Sequence, residues 1–176
     1  VTGGRLMAEH AISQGHKHLA VISSQYRIDD PNQRLEGIQK ATKAAGLSLP
    51  DSMIEYATPD QEGGELAMQN LLATGAKFTA VLAYNDAMAS GAMTMLQDHG
   101  IAVPDQVSVM GYDDVLLAKY CRPKLTTLRY PVEMILELLS SDMRIDEVLK
   151  DYEDLTEGSM KEILDLLAED MKPKRG

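Results

Sequence analysis

The sequence predicts an α/β fold, a doubly wound parallel five-stranded sheet followed by an α-helical C-terminal appendage. Three observations predict it. Short apolar runs bounded by polar residues or glycine recur at 18–24, 53–57, 79–84 and 107–113, the pattern of strands buried on both faces. Longer stretches of helical periodicity lie between them, several closing on a glycine. Strands and helices alternate along the chain, so the strands should run parallel with right-handed crossovers.

Taken in order, a leading helix over 4–14 packs on one face, and "HLAVISS" (18–24) gives the first strand. "PNQRLEGIQKATKAAG" opens a helix on Pro31 and ends it on Gly46. "MIEYA" (53–57) is the second strand, and "EGGELAMQNLLATG" is a helix ending on Gly75. "TAVLAY" (79–84) is the third strand. "NDAMASGAMTMLQDHG" starts at an Asn-Asp cap and closes on Gly100. "VSVMGYD" (107–113) and the β-branched "LTTLRY" (125–130) supply strands four and five. The expected strand order is 2-1-3-4-5, as in flavodoxin-like sheets.

Composition narrows the function. The chain has 176 residues, 44% hydrophobic, enough for one domain with a small appendage. No apolar run reaches membrane-spanning length and the first residues lack a leader pattern, so a cytoplasmic location is expected. The single cysteine, Cys121, has no partner spacing around it and fits a reducing compartment. A net charge of −10 argues against a nonspecific grip on phosphate backbones. That charge is uneven, with a net of −3 over residues 1–130 and −7 over 131–176.

In parallel sheets ligands bind beyond the carboxyl ends of the strands. The polar residues placed there are Ser23 and Ser24, Asn85 and Asp86, and Asp113 and Asp114, with Arg34 one turn into the following helix. A cation beside an amide and carboxylates suits a sugar, whose hydroxyls both donate and accept and are held well by planar bidentate partners. The set suits neither a phosphate cradle nor a nucleophile with its base, and no GxGxxG or P-loop is present. His10, His16, His18 and His99 lie away from the rim, and no metal, cofactor or enzymatic activity is expected.

Five strings carry a family resemblance: "GGRLMAEHAISQGHKHLAVISS", "RLEGIQKATKAAG", "TAVLAYNDAMASGAM", "HGIAVPDQVSVMGYDD" and "PKLTTLRYP". Together they resemble the effector-binding core of the lactose/galactose repressor family, most closely its galactose-repressor branch, over residues 1–131. The resemblance implies a periplasmic-binding-protein-like lobe. It also implies sugar contacts at Arg34 of "RxxG", Asn85 of "YNDxMAxGA" and Asp113 of "GYDD", with Tyr130 beside the sugar on the hinge strand. Asp86 is then expected to cap the helix and Asp114 to form the turn. Family members close a second lobe over the sugar, so this lobe alone is expected to bind a galactose-like sugar weakly or not measurably.

Beyond "LRYP" the sequence departs from that family. Apolar positions recur at intervals of three and four through residues 132–176, which predicts three short amphipathic helices. With its "ILELL" and "IDEVLKDYEDLT" strings the tail resembles a small helical family of unknown function often linked to toxin–antitoxin systems. The two resemblances share "RYPV", a natural splice point, so the chain is read as a chimera of two domains, 1–131 and 132–176. No nucleic-acid or membrane partner is expected, given the acidity of the tail. A homodimer is expected through residues 86–99 and 115–121, where Met88, Ala92, Met95, Val115, Leu116, Leu117 and Tyr120 would supply apolar surface. The alternative reading is an engineered or recombined α/β protein with no selected activity.

Overall fold

The computed structural model describes residues 2–26 and 29–129, together with Arg144 and Glu147. The chain divides into two units, Val1–Arg129 and Tyr130–Gly176. The first is a five-stranded, wholly parallel sheet of order β2-β1-β3-β4-β5. Its elements are α1 (Thr2–Ser13), β1 (Leu19–Ser24), α2 (Asp29–Ala44), β2 (Ile54–Ala57), α3 (Gln61–Ala73), β3 (Ala80–Ala83), α4 (Asp86–Asp98), β4 (Ser108–Tyr112), α5 (Leu116–Tyr120) and β5 (Thr126–Leu128). A single 3₁₀ turn, Asp51–Met53, leads into β2.

The predicted fold class and strand order are therefore those observed, with local differences. β5 covers Thr126–Leu128 rather than the whole of 125–130, and α5 is a short helix that the periodicity did not single out. Ser23 and Ser24 belong to β1 itself and are buried. The predicted tail helices over 132–176 lie outside the described residues except at Arg144 and Glu147. There, the Arg144 amide donates to the Glu147 carboxylate at 2.9 Å and the Glu147 amide donates to the Arg144 carbonyl at 3.0 Å.

The alternation of strand side chains builds two cores. Ala20, Ile22, Val81, Ala83 and Val109 pack with Met68 and Leu71 of α3 and with Met88, Met93 and Leu96 of α4. The opposite face presents Val21 and Leu82 beneath Leu35 and Ile38 of α2. Helices α3 and α4 approach closely because Gly64 and Gly91 leave no side chain between them. A Cβ on Gly64 would overlap the Met88 carbonyl, and one on Gly91 would overlap the Gln61 carbonyl.

One expectation about α4 is corrected. Met88 and Ala92 are wholly buried in the core of the unit, because the face of α4 that carries them packs on the sheet and on α3. They supply no outer surface. Of the expected contact residues, those on and beside α5 are exposed: Val115, Leu116 (63% exposed), Leu117 and Tyr120 (68%).

Candidate functional site

The register sets every strand's carboxyl end on one rim. Ile22 lies beside Ala83, so the chain leaves β3 through Tyr84 into Asn85, and Tyr112 lies beside Leu128 at the end of β4. α2, entering after β1, carries Arg34 to this rim. Its side chain is only 6% exposed, so it is not the surface arginine that an amphipathic helix would ordinarily show.

A buried guanidinium needs partners, and two tyrosines provide them. The Arg34 Cζ lies 4.3 Å from the Tyr84 ring centroid and 3.6 Å from that of Tyr112. Both distances fall within cation–π range. Its Nη1 also donates to the Tyr84 carbonyl. Arg34 thus touches the residues that immediately precede Asn85 and Asp113, and the predicted contacts Arg34, Asn85 and Asp113 converge on one rim. Tyr130, the fourth predicted contact, lies outside the described residues.

Asn85 is held at both ends of its amide. Its Oδ1 accepts from the Met88 amide at 2.8 Å and its Nδ2 donates to the Pro59 carbonyl at 2.9 Å. These bonds use one of the two N–H groups and one oxygen lone pair of the amide. Asn85, in extended conformation at φ −146°, is therefore the helix cap of α4, and the expectation that Asp86 plays that part is corrected. The reason is geometric: the residue in the cap position keeps extended dihedrals, while Asp86 is already the first residue of the helix.

Asp86 instead points into the protein, where it is fully buried. Its Oδ1 accepts the Thr127 hydroxyl at 2.6 Å and its Oδ2 accepts the Val115 amide at 2.8 Å. Burial pushes its carboxyl above the ordinary carboxylate range, against the hydrogen bonds from Thr127 and Val115. Gly111 makes room for it, since a Cβ there would overlap Asp86 Oδ1. The sequence signalled Gly111 only as part of a motif; the buried carboxylate behind it was not legible.

The turn after β4 is strained. Asp113 and Asp114 have φ of +102° and +52°, a region that residues with a Cβ seldom enter. Three consecutive amides hold it in place. The Asp113 amide donates to the Leu128 carbonyl at 3.0 Å, the Asp114 amide to the Thr127 hydroxyl oxygen at 3.2 Å, and the Val115 amide to Asp86. The expected role of Asp114 as a turn residue agrees with its dihedrals, and its carboxylate lies 3.7 Å from Arg129 Nε.

Among the described residues no group of three or more His, Cys, Asp or Glu is placed to hold a metal ion, and no helix is long and apolar enough to cross a membrane. His16 meets the Thr79 hydroxyl and His99 the Met95 carbonyl, both away from the rim. A five-stranded parallel sheet of this order, with a clasped cation, an amide and a carboxylate at the strand ends, defines one lobe of a periplasmic-binding-protein-like fold. Residues 8–140 match the periplasmic binding protein-like domain family, and the chain belongs to that family. Residues 121–166 also match a family described as a protein of unknown function (DUF433).

Among individual proteins, the HTH-type transcriptional regulator GalR of Escherichia coli K12 is 45% identical over 130 residues, which are 74% of this chain and 38% of that regulator. A sugar-binding transcriptional regulator of the LacI family from Escherichia coli, solved with phosphate, superposes with a TM-score of 0.72 at 37% identity, covering 78% of this chain and 50% of that one. The Escherichia coli transcriptional repressor ascG gives a TM-score of 0.73 at 34% identity, covering 79% of this chain and 51% of that one. The chain thus spans about two fifths of the length of the curated regulator it matches.

Proposed function

We propose that residues 1–131 are the effector-binding lobe of a galactose-type transcriptional repressor. In this reading the lobe contacts a galactose-like sugar through Arg34, Asn85 and Asp113, with Tyr130 as a fourth contact. It acts as a cytoplasmic binding module rather than an enzyme. The observation that carries the reading is the clasp: Arg34, buried between the rings of Tyr84 and Tyr112, is bonded to the peptide that leads into Asn85 and stacks on the residue before Asp113. A cation, an amide and a carboxylate pre-organised in this way match the paired donors and acceptors of adjacent sugar hydroxyls.

The test is a titration of the ¹⁵N-labelled chain with D-galactose. Saturable shifts are expected at the amides of Asn85 and Asp113 and at Arg34 Nε, with a dissociation constant on the order of millimolar. A flat titration to about a hundred times that concentration would sink the reading. A second reading, a recombined α/β chimera without selected activity, draws support from the overlap of the two family matches at 121–140. The flat titration is the result that reading requires.

Association belongs to the same proposal. The expected dimer face at 86–99 and 115–121 is retained with its apolar weight shifted to α5, where Leu116, Leu117 and Tyr120 stand exposed. Light scattering is expected to report about twice the 19.3 kDa chain mass, falling to that mass in Leu117→Asp. A monomer in both proteins would remove α5 as an interface.

A further inference from the structure

We infer that Asp86, acting through Thr127, is a positioning residue for the ligand site, and that it holds the turn from which Asp113 is presented. The inference rests on the sugar reading for what Asp113 does, but its geometry stands independently. Asp113 and Asp114 both occupy left-handed dihedrals. Such strain persists only where the surroundings over-determine it. Beside the Asp113 amide bond to the Leu128 carbonyl and the Asp114–Arg129 ion pair, the surroundings hold a branched hydrogen-bond chain that fixes the next two amides. The Asp114 amide donates to Thr127 Oγ1, the Thr127 hydroxyl donates to Asp86 Oδ1, and the Val115 amide donates to Asp86 Oδ2.

The Thr127 hydroxyl is the junction. It accepts from one side of the turn and donates to a carboxylate fixed at the first residue of α4, so β5, α4 and the β4–α5 turn are tied at one half-buried point. The same α4 is capped by Asn85, the other proposed sugar contact. Asp86 therefore sets the spacing between the amide and the carboxylate of the site while touching no ligand itself. Without the junction, the turn would relax toward ordinary dihedrals and carry Asp113 with it. Gly111 supports the assignment, since its missing side chain is what admits the carboxylate.

The decisive pair is Thr127→Val, which keeps the shape and removes the hydroxyl, and Thr127→Ser, which keeps the hydroxyl. Native-state hydrogen exchange of the ligand-free full chain is the first readout. In Thr127→Val the Asp114 and Val115 amides are expected to exchange about tenfold faster, with the β1 amides unchanged, while Thr127→Ser matches the wild type. Galactose affinity is the second readout, expected to fall about fivefold in Thr127→Val and to be restored in Thr127→Ser. Asp86→Asn, whose single carbonyl oxygen can accept from the Thr127 hydroxyl or the Val115 amide but not from both, is expected to give the same pattern more weakly.

The outcomes separate the two claims. A wild-type chain that binds no galactose ends the sugar reading and leaves the holding of the turn to be decided by exchange. Unchanged exchange at Asp114 and Val115 in Thr127→Val overturns the positioning role, whatever the sugar does. So does faster exchange accompanied by an unaltered galactose affinity.

Discussion

Arg34→Ala is expected to remove galactose binding altogether and to lower the unfolding free energy of the lobe by about 2–4 kcal/mol. The substitution deletes a buried cation stacked on two rings and bonded to the Tyr84 carbonyl, and it leaves a space between Tyr84 and Tyr112. Part of the loss is packing, because the arginine stem fills that space as well as carrying charge. Arg34→Lys separates the two contributions. Lysine keeps a charge and an aliphatic stem but cannot lie as a plane between two rings or present a bidentate edge. It is expected to recover about half the stability and little of the binding. Urea unfolding together with the galactose titration measures both; an Arg34→Ala protein within about 0.5 kcal/mol of the wild type would show that the clasp contributes nothing.

Gly64→Ala carries the second large effect, and its sign is the informative quantity. On an exposed helix, glycine to alanine ordinarily stabilises by up to about 1 kcal/mol. Here the new Cβ would meet the carbonyl and Cα of Met88, backbone atoms that cannot rotate away. Helices α3 and α4 must separate, and a destabilisation of about 2–3 kcal/mol is expected. Thermal unfolding followed by circular dichroism would register this as a midpoint lowered by several degrees. A raised midpoint would show that the two helices have slack between them.

These two sites illustrate what the sequence could and could not disclose. Period and punctuation sufficed for the strands: each apolar run is a strand, and the alternation with helices makes them parallel, while their order β2-β1-β3-β4-β5 is one of the arrangements open to a doubly wound sheet. Arg34, Asn85 and Asp113 could be named because ligands gather at strand carboxyl ends and because their motifs resemble a known family. The depth of Arg34 was not legible, since its helix reads as amphipathic and its aromatic partners come from two other segments. That Asn85 rather than Asp86 caps α4 was equally hidden. Both residue types cap helices, and only the dihedrals at the strand end decide which one does. Met88 and Ala92 were misjudged for a related reason, because helical spacing identifies an apolar face without saying what that face meets.

The turn after β4 bears on how this rim can change over generations. Loops of a parallel sheet usually accept added or lost residues, and that latitude is how such folds acquire new ligands. The 113–115 segment has no such latitude. Its three successive amides are each spoken for by a different atom, on Leu128, Thr127 and Asp86, so a single inserted residue would misalign all three at once. The changes this end of the sheet can accept with all three bonds intact are therefore exchanges of side chains on a segment of constant length.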